Sequence, residues 1–418
     1  MQNNKPLRVL IAGGGIAGPA LAFWLHRLGH SITVIERWDT LRIGGQQIDL
    51  RLQGVEAAER MGILDEIREH VVDEAGVDVV NEKGQSVIFF PRHEPGSKQQ
   101  GFSSEFEIMR GDLCRILYGR TKDDVNYRFG LSVNSFESVG NVVNVTLSDG
   151  SVEEYDLLVG ADGQGSRIRR AMNKDEEGGD GQFLRSLGTH ACYFPIKRTA
   201  ADEGHATCYV ETERRIVLTR WHEPDLGQVY LMTMKPSHNE KVKEALRHDV
   251  ATQKKAIAEI FSTMRWEQRD RILDALNTAE DFYAHEIIQV RDNKLTKGRV
   301  ALVGDAGFCP SVFAGLGTSA ALVGAYVLAG EIGKCKGDVE AGLAGYDATL
   351  RPFIEKIQVL NTSMTRLIPE SAVGLRILNF ALWLAGKLNV FKLLQDRAVE
   401  REEDWVMPRY EELHVGEP

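Results

Sequence analysis

The sequence predicts an α/β fold in which a parallel-sheet domain is interrupted by a sheet-containing insert and followed by C-terminal helices. Three observations predict it. The short apolar run Arg8-Val-Leu-Ile-Ala12 ends in glycines, and a helix-like stretch and a second β-branched run follow it. Almost three hundred residues later, GRVALVGD at 298–305 returns to the same pattern and opens a second glycine loop. Between the two lie strand-like runs at 205–221 and 227–235. Apolar runs without alternation are the mark of strands buried on both faces, as in a parallel sheet.

The elements follow in order. Residues 16–28 carry an apolar face at helical spacing, and Gly29 stands where a helix C-cap belongs. With the strand at 32–36 they complete a βαβ unit. Residues 142–163 read as a hairpin that turns at Asp149-Gly150, a dipeptide that tolerates positive φ. The stretch NKDEEGGDGQ at 173–182 is charged, glycine-rich and without apolar anchors, so it reads as a solvated connector and a domain boundary. Residues 238–278 read as helical, 317–334 as a long helix of small residues, and 350–400 as amphipathic helices. The expected organisation is a discontinuous domain at 1–178 and 283–365, an insert at 179–282, and a helical segment at 366–418. The last helices, 376–397 included, are expected to pack across both domains.

Composition narrows the function classes. The chain has 418 residues, 43% of them apolar and 26% charged, ordinary values for a soluble protein with a sizeable core. A net charge of −10 argues against nucleic acid as a partner. The five cysteines form no CxxC, which excludes a zinc ribbon or a disulfide framework and suits a reducing compartment. No HExxH occurs, and no metal is expected. The opening MQNNKP has no signal-peptide pattern, and the apolar stretch at 377–386 is too short to span a bilayer. A cytoplasmic monomer or homodimer without a membrane is the expectation.

Gly13, Gly15 and Gly18 spell GxGxxG between the first strand and the first helix, with Ile16 and Ala17 inside the turn. Such glycines allow a tight turn and let backbone N–H groups approach a pyrophosphate at a helix N-terminus. Glu36 ends the second strand, where a carboxylate accepts from ribose hydroxyls, and Arg37 belongs to the same expected site. An acid there repels a 2′-phosphate, so the site should take FAD or NAD rather than NADP, on a Rossmann-like three-layer domain. In the second loop, GDAGFCPSVFAGLGTS at 304–319, Asp305 is placed to accept from a polyol. Gly315 and Gly317 let backbone amides reach a planar ring, and the helix that begins near Thr318 turns its positive end toward it.

Three segments together resemble the group A flavoprotein monooxygenases, a family that includes aromatic hydroxylases and tetracycline-inactivating monooxygenases. They are GxGxxG with Glu36, Gly160-Ala-Asp162-Gly163-Gln-Gly-Ser166-Arg-Ile-Arg169, and Gly304-Asp305-Ala306 with Pro310, Gly315 and Gly317. The resemblance implies that extended FAD is held at its two ends by the two glycine loops, with Asp162 serving both FAD and the nicotinamide cofactor. It further implies that Arg110 and Asp49 contact FAD and that Arg42 contacts NADPH or NADH. Departures are Gly307-Phe308, where many members have Ala-His after Gly-Asp, and Thr318-Ser319, where an Asn is common.

The implied chemistry is NAD(P)H reduction of FAD, then O₂ addition to give a C4a-hydroperoxide that hydroxylates an aromatic or polycyclic molecule. No catalytic triad stands out. Phe313, in the second loop, and Met232, on a strand that also carries Met234, are the candidate substrate contacts, with core packing as the rival role for each. The alternatives are an FAD-dependent reductase or saturase on the same scaffold, an NAD-dependent dehydrogenase using only the first βαβ unit, and a non-catalytic redox flavoprotein. A flavin-dependent halogenase is disfavoured because no Trp-x-Trp occurs.

Overall fold

The computed structural model describes residues 6–92, 105–291, 294–360, 368–388 and 405–414. Its six-stranded sheet runs in the order Thr296–Lys297, Val300–Leu302, Leu157–Gly160, Arg8–Ala12, Ser31–Glu36, Asn126–Phe129, parallel except for the first pair. Alternation along its strands sorts side chains to two faces. Val9, Ile11, Ile32 and Val34 pack on the helices Ala17–Arg27 and Gly317–Lys334. Leu10, Ala12, Ile35 and Leu158 pack instead on Val143, Val145 and Leu147 of a three-stranded antiparallel sheet. Both faces are covered, which is why these strands read as unbroken apolar runs and why the domain has three layers. The helix Gly317–Lys334 is apolar all round because it is itself buried, and its small residues let neighbours approach; a Cβ on Gly324 would lie 2.7 Å from the Phe308 ring.

A second, seven-stranded sheet has the order Tyr283–Val290, Leu184–Lys197, Leu226–Thr233, Arg215–Trp221, Ala206–Glu211, Gly76–Val80, Ser86–Pro91. Neighbours are antiparallel except Ala206–Glu211 beside Gly76–Val80. Phe194, Tyr209, Val217 and Leu231 on one face meet the helices Pro236–Ala245, Val250–Phe261 and Arg269–Thr278. The other face carries Tyr193, Tyr230, Met232 and Ile287.

Four expectations are revised. The seven-stranded sheet takes two strands from 76–91 and one from 283–290, so the segment 179–282 holds only part of it. The stretch 142–163 is a hairpin only to Tyr155; Leu157–Gly160 turns away to pair in parallel with Arg8–Ala12. The stretch 173–182 is not wholly a solvated connector, since Asp180 is paired at 2.8 Å with the buried Arg169. The segment 366–418 splits. The helix Ala372–Lys387 packs on Ser86–Pro91 of the second sheet, Gly386 against Ile88, while Val373, Ile377 and Phe380 are exposed. Residues 405–414 pack on the first domain, with the Tyr410 ring against Gly330 and its hydroxyl donating to Glu331 at 2.8 Å. The described part of 376–397 therefore touches the insert sheet rather than bridging both domains; 389–397 lie outside the described residues.

Candidate active site

One cavity of about 860 Å³ lies between the two sheets. Its first wall is the GxGxxG turn. Gly13 has φ +122°, and a Cβ there would sit 2.3 Å from the Ala161 carbonyl. A Cβ on Gly18 would sit 2.0 Å from the Gly13 carbonyl, so Gly18 closes the turn from behind and does not line the cavity. At Gly15 the nearest group to such a Cβ is the Arg110 guanidinium at 3.3 Å, so this glycine leaves the cavity side open. Ile16 caps the helix Ala17–Arg27 without a side-chain hydrogen bond, and no acid stands in its first turn. The unpaired N–H groups and the positive helix end are free for an anion.

Glu36 is fixed by its own neighbours: Gly14 N donates to its Oε2 at 2.8 Å and Trp38 N to its Oε1 at 3.2 Å. Carboxylate oxygens retain further acceptor capacity. Arg37 and Arg42 both stack on Trp38, at 5.6 and 5.7 Å, and Arg42 also lies 5.1 Å from the Tyr283 ring centre. Burial, then the charge of Arg110, lowers the Arg42 pKa. Arg110 donates to the carbonyls of Arg42 and Gly44 at 3.2 and 3.1 Å, and its stem lies against Gly45, φ +135°. Asp49 is ion-paired with Arg51 at 2.8 Å.

The Asp162 segment is clamped to the second glycine loop by Arg169. This guanidinium is 1% exposed and donates to the Ala306 and Gln164 carbonyls, both at 2.8 Å, as well as to Asp180. Asp162 Oδ2 accepts from Arg167 N at 2.7 Å, whereas its buried Oδ1 has no partner among the described residues. Gly304, φ +63°, brings the second loop to the first, since a Cβ there would lie 3.0 Å from Ala17 Cβ. Burial pushes the Asp305 carboxyl up, against a hydrogen bond from Cys309 and the charge of Arg110. Gly315, φ +63°, Gly317 and Thr318 face the cavity at the start of the helix Gly317–Lys334, whose N-cap Leu316 gives no side-chain bond. Phe313 sits on the rim, 37% exposed, after Ser311 at φ +84°, a strained value for a non-glycine.

The second sheet closes the other side. Met232 lines the cavity, whereas Met234 is buried away from it. Several groups there were missed from sequence. Tyr193, Tyr283 and His285 form a stack, with His285 5.1 Å from Tyr283 and 5.7 Å from Tyr193. Gln164 Nε2 donates to His285 Nδ1 at 3.1 Å, which puts the imidazole proton on Nε2, 3.4 Å from the Tyr193 hydroxyl. Burial lowers the His285 pKa to about 4, so the ring is neutral. Gln47 N donates to the Tyr230 hydroxyl at 3.1 Å. Gln164 stands in a motif segment, and that was the one available signal; the tyrosines and His285 come together only through sheet pairing.

The chain matches the family model described as "FAD binding domain" over residues 6–359. It is 38% identical over 430 residues to the FAD-dependent monooxygenase asL4 of Sarocladium schorii, covering 97% of this chain and 99% of that protein. The chain belongs to the FAD-dependent monooxygenases. Among solved structures it is similar to tetracycline destructase Tet(55), with a TM-score of 0.79 and 28% identity over 98% of this chain and 100% of that one. The Klebsiella pneumoniae HpxO structure with FAD and uric acid shares the fold, with a TM-score of 0.68 and 20% identity over 93% of this chain and 96% of that one.

The cavity fits FAD. Gly15 leaves space where a side chain would intrude, two uncapped helix starts face the cavity, and Asp162 Oδ1 is an orphaned buried acceptor. No described helix is long and apolar enough to cross a membrane, and no described cluster of His, Cys, Asp and Glu forms a metal site.

Proposed function

We propose that this FAD-dependent monooxygenase uses NADPH or NADH and O₂ to hydroxylate an uncharged aromatic or polycyclic molecule. The observation that carries this reading is that one cavity joins the two glycine loops to the aromatic face of the second sheet. In it, Gly13, Gly15, Ile16 and Ala17 hold the pyrophosphate, Glu36 the adenosine ribose, and Arg37 the adenosine side of the site. Asp305 accepts from the ribityl chain, and Gly315, Gly317 and Thr318 present backbone to the ring, with Asp49 and Arg110 beside it. Asp162 serves the cofactor side through its orphaned oxygen. Arg42, on the rim with Trp38 and Tyr283, meets the nicotinamide cofactor.

FAD, when bound, supplies the two-electron and O₂ chemistry. The chain's own residues orient the substrate and exclude water. Tyr193, Tyr230 and Tyr283 offer ring faces, Met232 and Phe313 apolar surface, and Tyr193 a hydroxyl toward a substrate oxygen. The surface favours an uncharged ligand because His285 is neutral and Arg220 is already paired with carboxylates. The name of the Tet(55) relative supports the polycyclic choice.

The test is the absorbance of the purified protein followed by NADPH and NADH in air with a panel of phenols and polycyclic ketones. Bound flavin that bleaches, recovers with oxygen and yields hydroxylated product is the expected result. Reduction of a substrate double bond without oxygen uptake would contradict it and support a reductase.

A further inference from the structure

The wall between the glycine loops and the aromatic face carries a charged cluster with no assigned role. Arg220, from Arg215–Trp221, contacts Glu74 through Nε at 3.0 Å and pairs through its terminal nitrogen with both Glu74 and Glu107. All three are buried, at 8%, 2% and 3% exposure. Glu107 and Arg220 line the cavity, and Glu74 lies behind them. Two carboxylates share one guanidinium in a desolvated place. Electroneutrality there requires one proton, because a buried unmatched charge is far costlier than a neutral carboxyl. The remaining neighbours do not supply the missing positive charge. Asp49, on the strand Gln47–Leu50, stands directly across an antiparallel two-stranded ribbon from Glu107 on Phe106–Met109 and is matched by its own Arg51. Tyr230 is a neutral phenol on the adjoining strand, and burial lowers the pKa of His222, which stands near Glu74, so it adds no positive charge at neutral pH.

Hydroxylation, on the reading proposed above, has the balance RH + O₂ + NAD(P)H + H⁺ → ROH + NAD(P)⁺ + H₂O. The hydride supplies two electrons and one hydrogen, one oxygen atom enters the C–H bond, and the other leaves as water, whose two hydrogens balance the hydride and the one added proton. One proton per turnover must come from outside the reactants to the reacting atoms in the cavity. We propose that the Glu74–Arg220–Glu107 cluster holds that proton, at Glu107, and gives it up to the cavity. Solvent restores it between turnovers. Burial of Glu107, opposed by Arg220 and assisted by Asp49 and Glu74, raises its carboxyl to about 7, which suits a group that exchanges a proton near neutrality.

The test uses the FAD-loaded enzyme with NADPH as the probe and oxygen uptake as the rate. Uptake that ends in peroxide consumes the same proton, NADPH + H⁺ + O₂ → NADP⁺ + H₂O₂, so no identified substrate is needed. The wild-type rate should fall as pH rises through about 7. Glu107→Gln, which keeps a hydrogen bond to Arg220, should be roughly 100-fold slower and lose that limb. Glu74→Gln removes the excess carboxylate, so the limb should move to lower pH. A second readout needs no turnover. The raised carboxyl makes the wild type lose stability as pH rises from about 4.5 to about 7, and Glu107→Gln should not share that loss. A cluster that only joins the second sheet to that ribbon would lower the melting temperature in both variants and leave the pH–rate limb in place, which would overturn the assignment. A wild type that binds FAD but consumes no oxygen even with the panel of phenols and polycyclic ketones present would overturn the monooxygenase reading itself, and with it this use of the proton.

Discussion

The two walls of the cavity are built on different principles. The wall of the glycine loops is made of backbone: a Cβ on Gly13 or Gly18 would lie only 2.3 or 2.0 Å from a carbonyl oxygen, and Glu36 is held by main-chain N–H groups. The wall proposed to meet the substrate is made of side chains delivered by separate strands: Tyr193, Tyr230 and His285, with Gln164 reaching across from the Asp162 segment. Gly13 and Gly18 are therefore expected to tolerate no side chain, whereas the second wall should vary without loss of the cofactor.

The largest test of that contrast is Gly18→Val. Its Cβ would enter the Gly13 carbonyl, so the protein should fail to fold or fail to take up FAD, measured by melting temperature and flavin content. Next is Arg169→Ala, which leaves Asp180 without its partner and frees the Asp162 segment from the Ala306 carbonyl. Removing one partner of a buried pair costs about 3–5 kcal/mol, so denaturant melts should show a loss of that size with FAD affinity reduced as well.

His285 provides the substrate-wall counterpart. Its folded pKa of about 4 lies below its ordinary value of 6.5, so the unfolded chain binds a proton that the folded chain refuses. That penalty is absent above about pH 6.5 and grows to roughly 3 kcal/mol as pH falls toward 4. His285→Gln should remove this acid-side loss while flavin content stays at the wild-type level. Glu107 acts with the opposite sign over an overlapping range, so each effect is read from a variant compared with the wild type rather than from the wild-type curve alone.

The smallest effect is Asp305→Asn, which keeps the shape of the second loop but removes a charged acceptor. A charge-assisted hydrogen bond contributes about 1.5–3 kcal/mol, so FAD should bind roughly 10–100-fold more weakly in equilibrium titrations, with little change in melting temperature of the FAD-free protein.

The same contrast explains what could be read from the chain. The turn at Gly13, Gly15 and Gly18 and the strand end at Glu36 were legible because they are spaced within one βαβ unit, and spacing is written directly in a sequence. The positions of Asp162 and Asp305 were legible in the same way, each just past a strand end beside glycines, and those of Gly315 and Gly317 from their place at the start of a long helix. Arg220 and Glu74 are 146 residues apart, and Gln164 and His285 are 121 apart. Nothing local marks such pairs, because only the strand order of the second sheet brings them together. That sheet was itself underestimated, since the parallel pairing of Gly76–Val80 with Ala206–Glu211 depends on a strand that precedes the expected insert by about a hundred residues. Met232 shows the limit within one strand. Alternation placed it with Met234 on the same side, but the strand ends at Thr233, and Met234 follows the Arg214 backbone into the core.

The most direct measurement of the division between the two walls uses Met232→Trp. FAD affinity is titrated first, and the change in the flavin absorbance on adding 2-naphthol, a planar uncharged phenol, is recorded next. The account predicts unchanged FAD affinity and loss of the 2-naphthol response, because the new ring fills the aromatic side of the cavity and leaves the glycine loops alone. A fall in FAD affinity, or a 2-naphthol response equal to that of the wild type, would contradict it.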